Sequence, residues 1–308
     1  MSKIPGGIYP VMITPFTADN QVDYEAVDRI VEFYAQNGCH GVFAVCQSSE
    51  MFRLTEDECV RLAGRVVRAA AGRMAVVASG HTAERLGDQI CGLKRMADTG
   101  VDAVILITNR LADAKESDDV WMDNLDYLLN KLDPAMPLGF YECPMPYKRL
   151  ITLDQLKACA ATGRFRFMKD TCCDLATIKD RLKVLEGTEL KLYNANVSTL
   201  LDSVRAGAAG FSGVMASFHP ELYAWLLAHV DDSRAEVLQA ALTQCSLIER
   251  QLYPVNAKYH LQRMGLPLTT RSRTQDCHLL TETFKDEVRQ MELLVAWLKK
   301  TLLAGEEV

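Results

Sequence analysis

Short apolar runs alternate with longer amphipathic stretches along most of the chain. The first run covers residues 8–14. In residues 24–36, Ala26, Val27, Ile30, Val31, Phe33 and Tyr34 fall on one helical stripe. Asn37 and Gly38 end that stripe, since glycine readily takes the left-handed cap. Residues 41–46 then read as a strand. Thr55, with Glu58 three positions on, reads as a capping box that opens the next helix. Further strands are predicted at 74–78, 103–107, 138–141, 165–169, 190–193 and 210–213. Helices are predicted between them at 83–99, 118–131, 153–162, 175–185, 197–205 and 221–229.

Continuous apolar strands separated by helices imply a parallel sheet covered on its outer face. Eight such units imply an α/β fold of the closed (β/α)8 TIM barrel type. A doubly wound open sheet is the competing architecture. It usually has fewer strands, and no Gly-x-Gly-x-x-Gly follows the first run. Beyond about residue 231 the pattern is helical only, with stretches at 234–252, 255–263 and 281–303. No low-complexity linker precedes them. The expected organisation is a barrel over residues 1–230 and a three-helix extension over 231–308, packed on the barrel.

Composition changes this picture little. The 308 residues are 49% hydrophobic and 24% charged, enough apolar material for a large core. A net charge of −6 without clustered basic residues gives no support for nucleic-acid binding. No run is apolar for long enough to span a membrane, and the amino terminus lacks a signal-peptide stretch. The cytoplasm is the expected location. The ten cysteines fall mostly inside predicted elements, which fits reduced thiols better than disulfide staples. Cys172 and Cys173 are adjacent and not spaced as a metal pair. The six histidines show no His-Glu-x-x-His spacing, so no metal is expected.

In such barrels the chemistry sits at the carboxyl ends of the strands. Lys169 ends the apolar run 165–169, on the same face as Phe165 and Phe167. A buried ammonium is costly without a partner or a task. Desolvation lowers its proton affinity, and a neutral amine can condense with a ketone to form a Schiff base. Most strand-end lysines simply reach water along a buried stem. Tyr141, however, ends the preceding strand with inward parity, and adjacent strands lie about 4.8 Å apart. A phenol and an amine would then meet one small substrate, the amine holding its carbon skeleton and the phenol moving protons. Gln47, Ser48 and Ser49, after the second strand, offer amides and hydroxyls for a carboxylate. Glu50 in the same loop is expected to be a structural hydrogen-bond acceptor.

These residues resemble the dihydrodipicolinate synthase/N-acetylneuraminate lyase family of class I, Schiff-base aldolases. Thr14-Pro15-Phe16 looks like that family's Thr-Pro-Phe. Cys46-Gln47-Ser48-Ser49-Glu50 is similar to its Gly-Thr-Thr-Gly-Glu loop, Tyr141-Glu142-Cys143-Pro144 to its Tyr-Asn-x-Pro, and Lys169-Asp170-Thr171 to its Lys-Asp-Thr. The likeness covers the barrel and, more weakly, the tail. It implies that Lys169 forms the imine with pyruvate or another small 2-oxo acid. It also implies that Tyr141 shuttles protons and that Ser48 and Ser49 hold the carboxylate. Thr171, Asn194, Asn196 and Ser212 are further candidate substrate contacts. No cofactor is implied, and relatives are commonly tetramers or dimers, so a homo-oligomer is expected.

The departures bear on the substrate. Gln47 replaces a hydroxyl that assists the tyrosine in relatives. Thr108-Asn109-Arg110 replaces a tyrosine pair after the fourth strand, and Pro146 stands where an arginine is usual, with Lys148 and Arg149 close by. The sugar-binding acidic pair of sialic-acid lyases falls on Val197-Ser198. The expected activity is carbon–carbon bond formation or cleavage between pyruvate and an aldehyde, on a small 2-oxo acid such as a sugar-acid derivative. The alternatives are dehydration or decarboxylation through the same imine, and a non-catalytic 2-oxo-acid-binding paralogue.

Overall fold

The computed structural model describes residues 4–302. Residues 1–3 of the amino terminus and 303–308 of the expected tail lie outside the described residues. Eight strands are present among them: β1 (Gly7–Ile8), β2 (Gly41–Phe43), β3 (Ala75–Ala78), β4 (Ala103–Ile107), β5 (Leu138–Tyr141), β6 (Phe165–Asp170), β7 (Lys191–Asn194) and β8 (Gly210–Phe211). Helices fill the intervals: α1 (Tyr24–Gln36), α2 (Glu56–Ala70), α3 (Leu86–Ala97), α4 (Asp118–Lys131), α5 (Leu153–Ala161), α6 (Leu175–Leu185), α7 (Leu200–Arg205) and α8 (Pro220–Ala228). After them come α9 (Ala235–Cys245), α10 (Val255–Arg263) and α11 (Glu282–Leu302).

All ladder pairings are parallel, in the order β1-β8-β7-β6-β5-β4-β3-β2. The cylinder closes between β1 and β2 through single backbone bonds. His40 N donates to Ile8 O at 3.0 Å, Phe43 N to Pro10 O at 2.9 Å, and Met12 N to Phe43 O at 3.0 Å. The expected strand over 8–14 is thereby cut to two residues. Pro10 has no N–H to give a ladder, and the chain beyond it joins β2 only at the Val11–Phe43 bridge.

Local sequence accounts for the helix ends. Thr55 Oγ1 accepts from Glu58 N while Glu58 Oε2 accepts from Thr55 N, which is the expected capping box. The spans of α4 and α6 coincide with the pattern. The stretch 234–252 differs. It runs as α9, then tightens into a 3-10 helix, Ser246–Arg250. Ser246 Oγ donates back to Thr243 O at 2.7 Å, and Pro254 disfavours helical backbone at the residue before it.

Inside the barrel, aromatic rings form a floor. Phe167 stacks on Tyr193 at 4.4 Å between centroids, and Tyr9 and Phe43 approach Phe167 at 5.3 Å and 6.0 Å. Gly139 makes room for this layer, because a Cβ there would stand 2.5 Å from both Phe167 O and Ile105 Cδ1. One step further along the same faces, Tyr141 pairs in register with Lys169. The floor therefore lies directly beneath those two side chains.

Candidate active site

A cavity of about 820 Å³ opens at the carboxyl ends of the strands. Lys169 and Tyr141 lie in its wall, with Gln47, Ser48, Thr171 and Asn196. Lys169 is 5% exposed and its Nζ sits 4.7 Å from the centre of the Tyr141 ring. Among the described residues that Nζ makes no hydrogen bond. Burial lowers its pKa from the ordinary 10.5, and only the thiols of Cys46 and Cys143 and the Glu249 carboxyl oppose the shift. A desolvated, unpartnered amine in a cavity is the state in which lysine becomes a nucleophile.

Tyr141 is held between Phe43, 5.5 Å away edge-on, and the lysine. Burial raises its pKa well above the ordinary 10.0. The phenol is therefore neutral and can act as a donor. Gln47 Oε1 accepts from Cys143 Sγ at 3.5 Å, so the side chain standing in the usual hydroxyl position is tied to the loop after β5.

Behind the cavity, a buried ion cluster fixes the loops after β5 and β6. Arg181 from α6 donates to Glu142 Oε1 at 2.6 Å, to Ile151 O at 2.9 Å, and to Asp170. Glu142 in turn accepts from Ile151 N at 2.9 Å and Thr171 N at 3.0 Å. The two carboxylates hold Arg181 protonated against the cost of its burial. The residues flanking Tyr141 and Lys169 thus share one anchor.

Not every expected contact reaches the cavity. Ser49 is fully buried: its Oγ lies 2.6 Å from Met12 O and 2.8 Å from Ala44 O and accepts from Cys46 N, while its amide donates to Cys46 O at 3.1 Å. Both groups expected to hold a carboxylate are spent inside the turn. Asn194 is likewise engaged, with Thr199 Oγ1 at 2.9 Å, Ser203 Oγ at 3.0 Å and Asn196 N at 2.8 Å. Ser212 is buried, its Oγ has no hydrogen-bond partner among the described residues, and it is absent from the cavity wall. Asn196 and Thr171 line the cavity, although Asn196 caps the turn at Thr199 N and Thr171 Oγ1 donates to Glu142 O at 2.7 Å.

Other lining residues carry no signal in the hydrophobic pattern. Arg110 lines the cavity from the loop after β4, 5.5 Å from the centre of the Phe52 ring. Lys148 lines it too, with Nζ bonded to Thr171 O, whereas Arg149 is drawn off to Asp118 at 2.8 Å. Glu249 and Tyr253 enter from the segment after α9. The Tyr253 hydroxyl lies buried beside Ser48. Glu50, by contrast, does what its loop position suggested. It accepts from Lys258 Nζ at 2.7 Å, Ser272 Oγ at 2.8 Å and the Arg273 and Thr274 amides at 2.6 Å and 2.9 Å. Asp276, Cys277 and His278 bring three metal-capable atoms within 4.8 Å of one another, but on a loop outside the cavity wall. Among the described residues, no helix is long and apolar enough to cross a membrane.

A family model described as the dihydrodipicolinate synthetase family matches residues 4–291. The 4-hydroxy-tetrahydrodipicolinate synthase of Pseudomonas syringae pv. syringae is 24% identical, the match covering 94% of this chain and 99% of that protein. The enzyme of the same name from Laribacter hongkongensis is 25% identical over 86% of this chain and 93% of its own length. Among solved structures, the dihydrodipicolinate synthase of Acinetobacter baumannii, complexed with pyruvate, superposes with a TM-score of 0.82 at 22% identity, covering 94% of this chain and 97% of that one. A protein described as a monomeric dihydrodipicolinate synthase variant superposes with a TM-score of 0.84 at 16% identity, covering 96% of this chain and 98% of its own.

Proposed function

We propose that this chain, which belongs to the dihydrodipicolinate synthetase family, makes or breaks a carbon–carbon bond between pyruvate and an aldehyde through an imine on Lys169. Its family makes it a carbon–carbon lyase of the class I aldolase type. The observation that carries the reading is the Lys169 amine, buried, without a hydrogen bond among the described residues, and set over Tyr141 in the cavity. The neutral amine attacks the 2-oxo carbon, water leaves, and a cationic imine remains. That imine accepts the electron pair when the bond between C3 and C4 of a 4-hydroxy-2-oxo acid breaks. Run backwards, the enamine carbon attacks the aldehyde. Ser48, in the cavity wall, receives the carboxylate. In the bond-forming direction Tyr141 donates its proton to the aldehyde oxygen, which becomes the C4 hydroxyl, and in cleavage that hydroxyl returns the proton to the phenolate.

The substrate is a small 2-oxo acid, with sugar-acid derivatives the first to try. Arg110 and Lys148 line the cavity, while Val197 and Ser198 offer no acidic pair for a polyhydroxy chain. Incubation with pyruvate and borohydride should add one reduced pyruvate to the wild-type mass and none to Lys169→Ala. Screening 2-oxo sugar acids for pyruvate release then identifies the aldehyde half. Release of water or carbon dioxide without an aldehyde would move the reading to dehydration or decarboxylation through the same imine. The expected dimer or tetramer fits the exposed Val237, Leu293 and Trp297 of α9 and α11, and light scattering measures it.

A further inference from the structure

Glu249 sits on the 3-10 helix after α9 and lines the same cavity as Lys169. Among the described residues its carboxyl makes no hydrogen bond, although the other carboxylates around this end of the barrel are bonded. Glu50 is saturated by Lys258 and the 272–274 loop, and Glu142 and Asp170 by Arg181. Four charged or titratable groups act on it: Lys169 from β6, the adjacent Arg250, Tyr223 from α8 and Tyr253. It is thus a carboxyl left unpartnered beside the amine that the proposed reaction converts to an imine.

We propose that Glu249 is the proton acceptor of the lysine site: its carboxylate takes a proton from C3 of the pyruvate imine on Lys169 and returns it in the reverse direction. The inference rests on the Schiff-base reading above. In the step, the C3–H bond breaks and its electron pair forms the C2–C3 double bond. The imine π pair moves onto nitrogen, and the proton goes to the Glu249 carboxylate. The product is a neutral enamine beside a neutral carboxyl, so charge cancels on both partners. When the enamine is protonated again, Glu249 regains its charge.

Tyr141 is ill suited to this task. Its buried phenol holds its proton well above neutral pH, and Gln47, tied to Cys143, offers no hydroxyl to relay one. Burial has the opposite use at Glu249. It pushes the carboxyl up to about 7, with Lys169 and Arg250 pulling the other way, which makes it a stronger base than an exposed carboxylate while still ionised near neutrality. A phenol kept neutral and a carboxyl poised near neutrality divide the donor and acceptor roles between them.

Pyruvate alone tests this. In deuterated water, wild-type protein should exchange the pyruvate methyl protons at a rate that rises with pH through about 7 and then levels. Glu249→Gln should slow the exchange about 100-fold and remove that pH limb. Its borohydride-trapped adduct on Lys169 should persist. In Glu249→Ala, added formate should restore exchange. Wild-type rate and an unchanged pH limb in either variant, with the adduct present, would overturn the assignment. A wild-type protein that forms no adduct would instead overturn the imine itself.

Discussion

Two lysines of this barrel are buried to nearly the same degree and end up in opposite circumstances. Lys169 is 5% exposed and Lys258 0%, and each Nζ rests over an aromatic ring, at 4.7 Å from Tyr141 and 4.6 Å from Phe16. Burial lowers the pKa of both. Lys258 is bonded to Glu50 Oε1 at 2.7 Å and to Arg271 O at 2.6 Å, and so ties α10 and the 269–276 loop to the turn after β2. Lys169 has neither bond and faces a cavity. Burial alone therefore does not make a lysine reactive. The withheld bond does, because an ammonium hydrogen-bonded to a carboxylate keeps its proton, whereas one without such a bond gives it up more easily.

Exchanging the two roles should be impossible by substitution, and that gives the sharpest tests. Lys169→Met should abolish imine formation outright while leaving the protein at least as stable as wild type at neutral pH, read by urea unfolding. A lysine whose folded pKa is lowered costs stability in its charged form. That cost is present in full below the lowered pKa and fades as pH rises towards 10.5, where the unfolded chain also loses the proton. The stability gap between the variant and wild type should accordingly close at alkaline pH. Lys258→Met should do the reverse. It strands Glu50 in the interior and should cost about 3–5 kcal/mol, yet imine trapping should survive in the cold where the variant stays folded.

Tyr141→Phe comes next in size. It should lower turnover by about 10²–10⁴ with little change in pyruvate binding, since it deletes a proton donor and keeps the ring under Lys169. Gln47→Thr should have the smallest effect. It restores a hydroxyl near Tyr141 but frees Cys143 Sγ, and a change in turnover of more than about tenfold either way would mean that Gln47 takes part in the chemistry directly.

Much of the barrel was legible because its signals are local. The Thr55–Glu58 box, the spans of α4 and α6, and the shared parity of Tyr141 and Lys169 each depend on neighbours a few residues away. Errors arose where a local rule met a distant partner. Pro10 cut the first strand short, although the chain after it still closes the cylinder through Phe43. Ser49 looked like a carboxylate ligand through its amide, but Cys46 O takes that amide, and the backbone of the first and second strand segments takes the hydroxyl. Asn194 was lost to α7 in the same way, through Ser203. Glu249 and Tyr253 were invisible for a different reason. Glu249 lies in a stretch that reads as one more amphipathic helix and Tyr253 in the short gap after it, and the 3-10 turn from Ser246 to Arg250 precedes the point where both reach the cavity.

The most direct test sets the two lysines in competition within one molecule. Wild-type protein trapped with pyruvate and borohydride is digested, and the modified peptide is sequenced by mass spectrometry. The adduct should fall on the peptide containing Lys169, with the peptide containing Lys258 unmodified and the trapping rate rising with pH at a midpoint below 10.5. An adduct on Lys258 or any other lysine, or one that persists in Lys169→Met, would contradict the claim that the partnerless amine does the chemistry.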